Sequence, residues 1–287
     1  MAAVPGASKP SSALKTISDD LSGRLAVVTG STAGIGYSCA ESLLSKGATV
    51  VINGRSADRV ESAVTALRKG LAIGQEGRVI GVTADVSTPE GAQRLFDAST
   101  ETKKTCRILI LNAGIFSTKD FFETSDEDWM KYWNVNMMSC VRLARLFLKP
   151  MLESDISTRL IVMASEAGVK PLPHMLAYSV SKTANISLAR GLAELTKGTK
   201  CTVNSVLPGP TRTEGVMEYF RGLAKSEGKS PEQVEIEYFE VHEPTSLIKR
   251  LIDPAEVAAT VSFLASDAGG AINGASVRCE GGTIRSI

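Results

Sequence analysis

Two histidines in 287 residues, neither set among cysteines or carboxylates at ligand spacing, argue against a zinc centre. No run approaches the roughly 18 to 20 consecutive apolar residues that a membrane span needs. Block charge is missing too, and a net charge of +1 gives no electrostatic reason to invoke nucleic acid or an anionic lipid surface as partner. Cysteines are few and odd in number: Cys39, Cys106, Cys140, Cys201 and Cys279 are scattered, mostly in apolar contexts, which suits reduced thiols and a cytoplasmic location better than a disulfide framework. Residues 1–20 hold no acid before Asp19, and their only basic residues are Lys9 and Lys15. This small, polar stretch with Pro5 and Pro10 reads as a flexible arm; it lacks the arginines of a transit peptide and the apolar core of a secretory signal.

What is present, from Leu21 onward, is alternation. Apolar runs near 25–29, 48–53, 78–83, 107–111, 158–164, 201–206 and 275–279 read as strands. Helical patterns lie between them near 34–46, 57–69, 89–103, 126–150, 177–197 and 254–266. Such alternation predicts an α/β fold: one doubly wound domain over 21–287, a seven-stranded parallel sheet with helices on both faces. Ligands of such sheets sit outside the carboxyl ends of the strands. One stretch, near 214–250, breaks the rhythm and is expected to cover a substrate and set specificity.

The first strand runs directly into Gly30-Ser31-Thr32-Ala33-Gly34-Ile35-Gly36, a turn in which glycines permit a tight exit, close approach to a pyrophosphate and close helix packing. Farther on, Tyr178 and Lys182 stand four residues apart, so a helix would place a phenol and an ammonium on one face. A nearby cation favours the phenolate form of a tyrosine, and Lys182 is placed to supply that field. Ser165 follows the apolar run Leu160–Ala164, whose strand would deliver it to the same edge of the sheet.

Together with Asn112-Ala113-Gly114, Asn136 in Asn-Val-Asn-Met, and Pro208-Gly209, these motifs make the chain resemble the short-chain dehydrogenase/reductases of the main, roughly 250-residue branch, from about Leu21 to the C-terminus. The look is closest to 3-oxoacyl-thioester reductases. The resemblance implies a nicotinamide-dependent oxidoreductase, with Asn136, Ser165, Tyr178 and Lys182 as catalytic tetrad and Asn136 holding a water that links Lys182 to solvent. It further implies cofactor contacts from Gly30, Ser31, Thr32, Gly34, Ile35, Gly36, Asn112, Ala113, Gly114, Tyr178, Lys182, Pro208 and Gly209. It also implies a homo-oligomer, dimer or tetramer, built on the long helices.

Cofactor choice is read at Asn53-Gly54-Arg55-Ser56. An NAD enzyme typically places a carboxylate here, about 20 residues past the glycine turn, whereas a guanidinium suits the 2′-phosphate of NADP. Asn53, Arg55 and Ser56 therefore point to NADP(H), with NAD(H) possible and Arg55 as a solvated loop residue the plainer alternative. Asp85-Val86 would flank the adenine, or Asp85 would cap the next helix. Thr211 or Thr213 would contact the carboxamide, Thr213 matching the family position better. His174 borders the expected cleft, and Glu166 beside Ser165 is ambiguous. The expected reaction interconverts a carbonyl, ketone or 3-oxoacyl, and an alcohol. An NAD-dependent alcohol or sugar dehydrogenase is the alternative enzyme, and a catalytically silent dinucleotide sensor the alternative of another class.

Overall fold

The computed structural model describes residues 17–287. Most of the expected N-terminal arm, residues 1–16, lies outside them. Asp19 is ion-paired with Lys46, and Asp20 accepts from the Ser22 hydroxyl at 2.7 Å, so the described end of that stretch is tied to the domain.

Seven strands, β1 (Leu25–Val28), β2 (Thr49–Gly54), β3 (Val79–Thr83), β4 (Cys106–Leu111), β5 (Thr158–Met163), β6 (Cys201–Pro208) and β7 (Ser276–Cys279), form one parallel sheet in the order β3-β2-β1-β4-β5-β6-β7. Their side chains alternate between faces, so a strand buried on both sides must be apolar throughout. In β1, Ala26 and Val28 join one core with α1 (Gly34–Ser45), α2 (Ala57–Lys69) and α9 (Pro254–Ala265). Leu25 and Val27 join the other, beneath α3 (Pro89–Thr100), α5 (Ser139–Leu152) and α6 (Leu176–Glu194). Strand addition reverses between β1 and β4. Their C-terminal ends open the crevice in which the glycine turn and Asn112–Gly114 lie side by side.

Two expectations differ from the fold. The helix over 126–150 is α4 (Asp126–Tyr132) and α5 joined by a π-helical turn, Trp133–Met138, a form that recurs at functional sites. The stretch 214–250, for which no helix is expected, contains α7 (Glu214–Glu227) and α8 (Pro231–Glu237) and then a π-turn over Tyr238–His242. Thr213 caps α7, Gly228 ends it at φ 65°, and Ser230 and Gln233 form a capping box before α8. These helices bury a small core of their own around Phe220, Val234, Phe239 and Leu251.

At the opposite, N-terminal edge of the sheet, Asp267 pairs with Arg24 at 2.6 Å and with Arg159 at 3.5 Å, both guanidinium side chains being buried. One Arg24 nitrogen, Nη1, has no hydrogen-bond partner among the described residues. Removing the carboxylate would leave two cations in low dielectric. Breaking a fully buried pair costs about 3–5 kcal/mol; since Asp267 is half-exposed, Asp267→Ala is expected to cost about 2 kcal/mol, read as a lower urea midpoint with the m-value unchanged. No helix among the described residues is long and apolar enough to cross a membrane.

Candidate active site

The crevice continues into a cavity of about 670 Å³. Ile35 and Asn112 border one end, Ser165, Tyr178 and Lys182 form its floor, and Tyr219 and Tyr238 from the 214–250 stretch close the other. Each polar residue arrives by a local rule. Ser165 leaves β5 in extended conformation and caps a short 3₁₀ turn, its hydroxyl accepting from the Ala167 N–H at 3.1 Å. Tyr178 and Lys182 sit one helical turn apart on α6, with the ammonium 5.6 Å from the centre of the phenol ring. The Ser165 hydroxyl and the Tyr178 phenol border the same cavity.

Proton affinities here are set mainly by burial. The Tyr178 phenol is pushed up from its usual value, first by burial and then by the nearby Glu166 carboxyl. Lys182 is brought down to about 8, again chiefly by burial. Burial therefore overrides the lowering of Tyr178 expected from Lys182. The ammonium donates instead to the Met163 carbonyl at 2.8 Å, and the phenol keeps its proton across the neutral range.

Several side chains expected at the cofactor are engaged in holding the backbone that surrounds it. Gly30 has φ 60°, and a methyl there would lie 2.9 Å from the Ala113 Cα; on Gly36 it would lie 2.4 Å from the Asn112 amide. Asn112 donates to the carbonyls of Thr29 and Gly30, clamping β4 to the glycine turn. Ser31, fully buried, donates to the Val28 carbonyl and accepts from the Asn53 N–H. Asn53, also buried, spends both amide hydrogens on the carbonyls of Val82 and Ala84. Both side chains are thereby committed to the backbone and shape the turn. Asn136 is also engaged with the backbone through its side chain. Its amide donates to the Ile115 carbonyl and the Ser181 hydroxyl, and its Oδ1 accepts from the Ile115 N–H at 2.8 Å, so the side chain fastens the segment after Gly114. Its main-chain carbonyl, within the π-turn, accepts from the Cys140 thiol at 3.3 Å.

Ile35, Gly114, Pro208 and Gly209 line the cavity, while Thr32 and Ala113 are half-buried beside the turn. Arg55 is exposed and makes no ion pair or hydrogen bond among the described residues; Ser56 next to it caps α2 by accepting from the Arg59 N–H at 3.4 Å. Asp85 accepts from the backbone and hydroxyl of Ser87, and Thr88, not Asp85, caps α3. Val86 is buried in the sheet-side core. Thr211 gives its only hydroxyl proton to the Gly209 carbonyl, whereas Thr213 uses a lone pair to cap α7 and retains its proton. Sequence reasoning missed the walls Ile115 and Phe116, which carry no periodic or chemical signal apart from their apolar character, while Leu172 and the 214–250 residues Val216 and Tyr219 line the cavity as expected. His174 also lines the cavity and is exposed, its proton affinity lowered by partial burial. Among the described residues no group of three or more His, Cys, Asp or Glu side chains is placed to hold a metal ion.

Comparison with known proteins gives this geometry its setting. The short chain dehydrogenase family model matches residues 24–224. The uncharacterized oxidoreductase YvrD of Bacillus subtilis is 48% identical over 92% of this chain and 97% of its own length. The NADPH-dependent aldehyde reductase 2 of Arabidopsis thaliana is 31% identical over 92% of this chain and 95% of its own. Among solved structures, the L-sorbose reductase of Gluconobacter frateurii, complexed with NADPH and L-sorbose, superposes with a TM-score of 0.86 at 30% identity, covering 93% of this chain and 99% of that one. The model match spans most of the chain and the relatives are matched nearly end to end; the chain belongs to the short-chain dehydrogenase/reductase family of NAD(P)-dependent oxidoreductases.

Proposed function

We propose that the protein is an NADPH-dependent reductase of ketones or related carbonyls. The observation that carries this is the meeting of Ser165, Tyr178 and Lys182 on the floor of one cavity whose other end is the glycine turn. A dinucleotide fits that end: Gly30, Gly34 and Gly36 leave a cradle that side chains would fill, and the N-terminus of α1 faces it. When bound, the reduced nicotinamide supplies hydride to the carbonyl carbon.

The remaining work falls to the chain. Ser165 and Tyr178 hydrogen-bond the carbonyl oxygen, and Tyr178 gives up its proton as charge develops there. The Lys182 ammonium stabilises the phenolate that remains and, with Tyr178, binds the nicotinamide ribose. Asn136 holds the Ile115 segment in place, and through it a water on the route by which Lys182 and Tyr178 are reprotonated. Thr213, with a free hydroxyl proton, is better suited than Thr211 to the carboxamide. The helices of the 214–250 stretch cover the substrate and set its class.

NADP(H) over NAD(H) is supported by the absence of a carboxylate at the end of β2, by the uncommitted Arg55 and by the NADPH named for the sorbose reductase and the aldehyde reductase. Five free thiols suit a reducing compartment such as the cytoplasm. Exposed Met130 on α4, Trp133 at the π-turn and Val180 on α6 suit a homo-oligomer.

The test is oxidation of NADPH and of NADH with L-sorbose, an aliphatic aldehyde, a 3-oxoester and acetoacetyl-coenzyme A. Turnover with NADPH at higher kcat/KM than with NADH is expected on at least one ketone. Tight NADPH binding without turnover on any of the four would favour a sensor instead.

A further inference from the structure

Resting on that reading, we infer that Glu166 is a positioning residue whose protonation decides whether Ser165 can donate its hydrogen bond to the substrate carbonyl. The argument is a count of protons. A serine hydroxyl has one hydrogen and two lone pairs. Here the hydrogen is given to Glu166 Oε2 at 2.6 Å, and one lone pair accepts from the Ala167 N–H. While Glu166 is ionised, Ser165 presents to a carbonyl oxygen nothing but a lone pair, which repels it. Once Glu166 is protonated, its acid O–H donates to the Ser165 oxygen and occupies that second lone pair. The serine hydrogen is then released toward the cavity, where it and the Tyr178 phenol provide the two donors the developing oxyanion needs. No atom is lost in this step: one solvent proton rests on the carboxyl while the ketone is bound, separate from the proton Tyr178 transfers.

The surroundings allow such a carboxyl to titrate near neutrality. Glu166 is 7% exposed and lines the same cavity. From its own segment it faces Ser165; from α6, Tyr178 and Lys182; from the 214–250 stretch, Tyr238 and Glu243, the last paired with Lys170 at 2.6 Å. Burial, with a smaller push from Glu243, raises Glu166 to about 7. Lys182, at about 8, titrates just above it. His174 faces Glu243 and His242.

The experiment is the pH profile of kcat/KM for NADPH-driven reduction, taken with the panel carbonyl that turns over fastest, in wild type, Glu166→Gln and Ser165→Ala. Two groups at about 7 and about 8 together imply a fall of about fivefold between pH 6 and 7.5. With Glu166 removed from the titration, Lys182 alone implies about 1.3-fold. A glutamine amide donates to Ser165 at every pH, so the lower inflection is expected to vanish in Glu166→Gln; it is expected to vanish in Ser165→Ala as well, because the carboxyl acts only through that hydroxyl. Persistence of the inflection near 7 in either variant overturns the inference, as does a wild-type profile without it. Failure of the reductase reading looks different: turnover that survives Tyr178→Phe, or none on any panel member, at every pH.

Discussion

Tyr178→Phe is expected to lower kcat for carbonyl reduction by about 10²- to 10⁴-fold, the usual contribution of a positioned general acid. The substitution removes one hydroxyl and little else. The ring packs edge-on to Phe116 with centroids 6.4 Å apart, a contact phenylalanine keeps. NADPH affinity, losing at most one hydrogen bond to the ribose, should fall by less than about tenfold. The sign of the pH dependence follows from the same site. Tyr178 is raised above its ordinary value, so the neutral acid is present throughout pH 6 to 9. Lys182 is lowered to about 8, so the cation that stabilises the phenolate is lost, and reduction slows, as pH rises through that value. Turnover of Tyr178→Phe within tenfold of wild type in stopped-flow NADPH oxidation would remove the phenol from the mechanism.

Arg55→Ala is expected to reduce kcat/KM with NADPH by about 10- to 100-fold, since a charge-assisted contact to phosphate is worth about 1.5–3 kcal/mol. Efficiency with NADH should change by less than about threefold, which narrows or inverts the preference. Position is the reason. Arg55 follows β2 directly, where Thr32 of the glycine turn packs against Gly54 so closely that a methyl on Gly54 would lie 2.6 Å from its Cγ2. The adenosine ribose of a dinucleotide passes this junction. Arg59, the next cation along, is already paired with Glu214 across the crevice at 3.0 Å and is the weaker substitute. Equal efficiency of the wild-type enzyme with NADH and NADPH would defeat the assignment before any variant is made.

Much of the scaffold was legible because it depends on short-range pattern. Runs such as Leu25–Val28 and Ile108–Leu111 are apolar at every position, which only a strand covered on both faces tolerates, and all seven fall in one parallel sheet. Helices α7 and α8 were missed even though Ser230-Pro231-Glu232-Gln233 is a legible helix start, because the apolar face behind it is short. The π-turn at Trp133–Met138 left no trace in a pattern whose helical period it barely disturbs. Polar residues were harder. Ser31, Asn53, Asn112 and Asn136 have the chemistry of ligand contacts, yet each is engaged with the backbone. Residue type states what a side chain can bond to, not which partner lies within 3 Å.

The amino-acid order alone therefore determined the alternating elements, the glycine turn and the phenol–ammonium pair, all of which follow from contacts within a few residues along the chain. Tertiary structure decided the acidities. Glu166 and Lys182 approach neutrality only because strand β5, helix α6 and the 214–250 helices close over them, and the cost of ionising a side chain depends on the water that distant segments exclude.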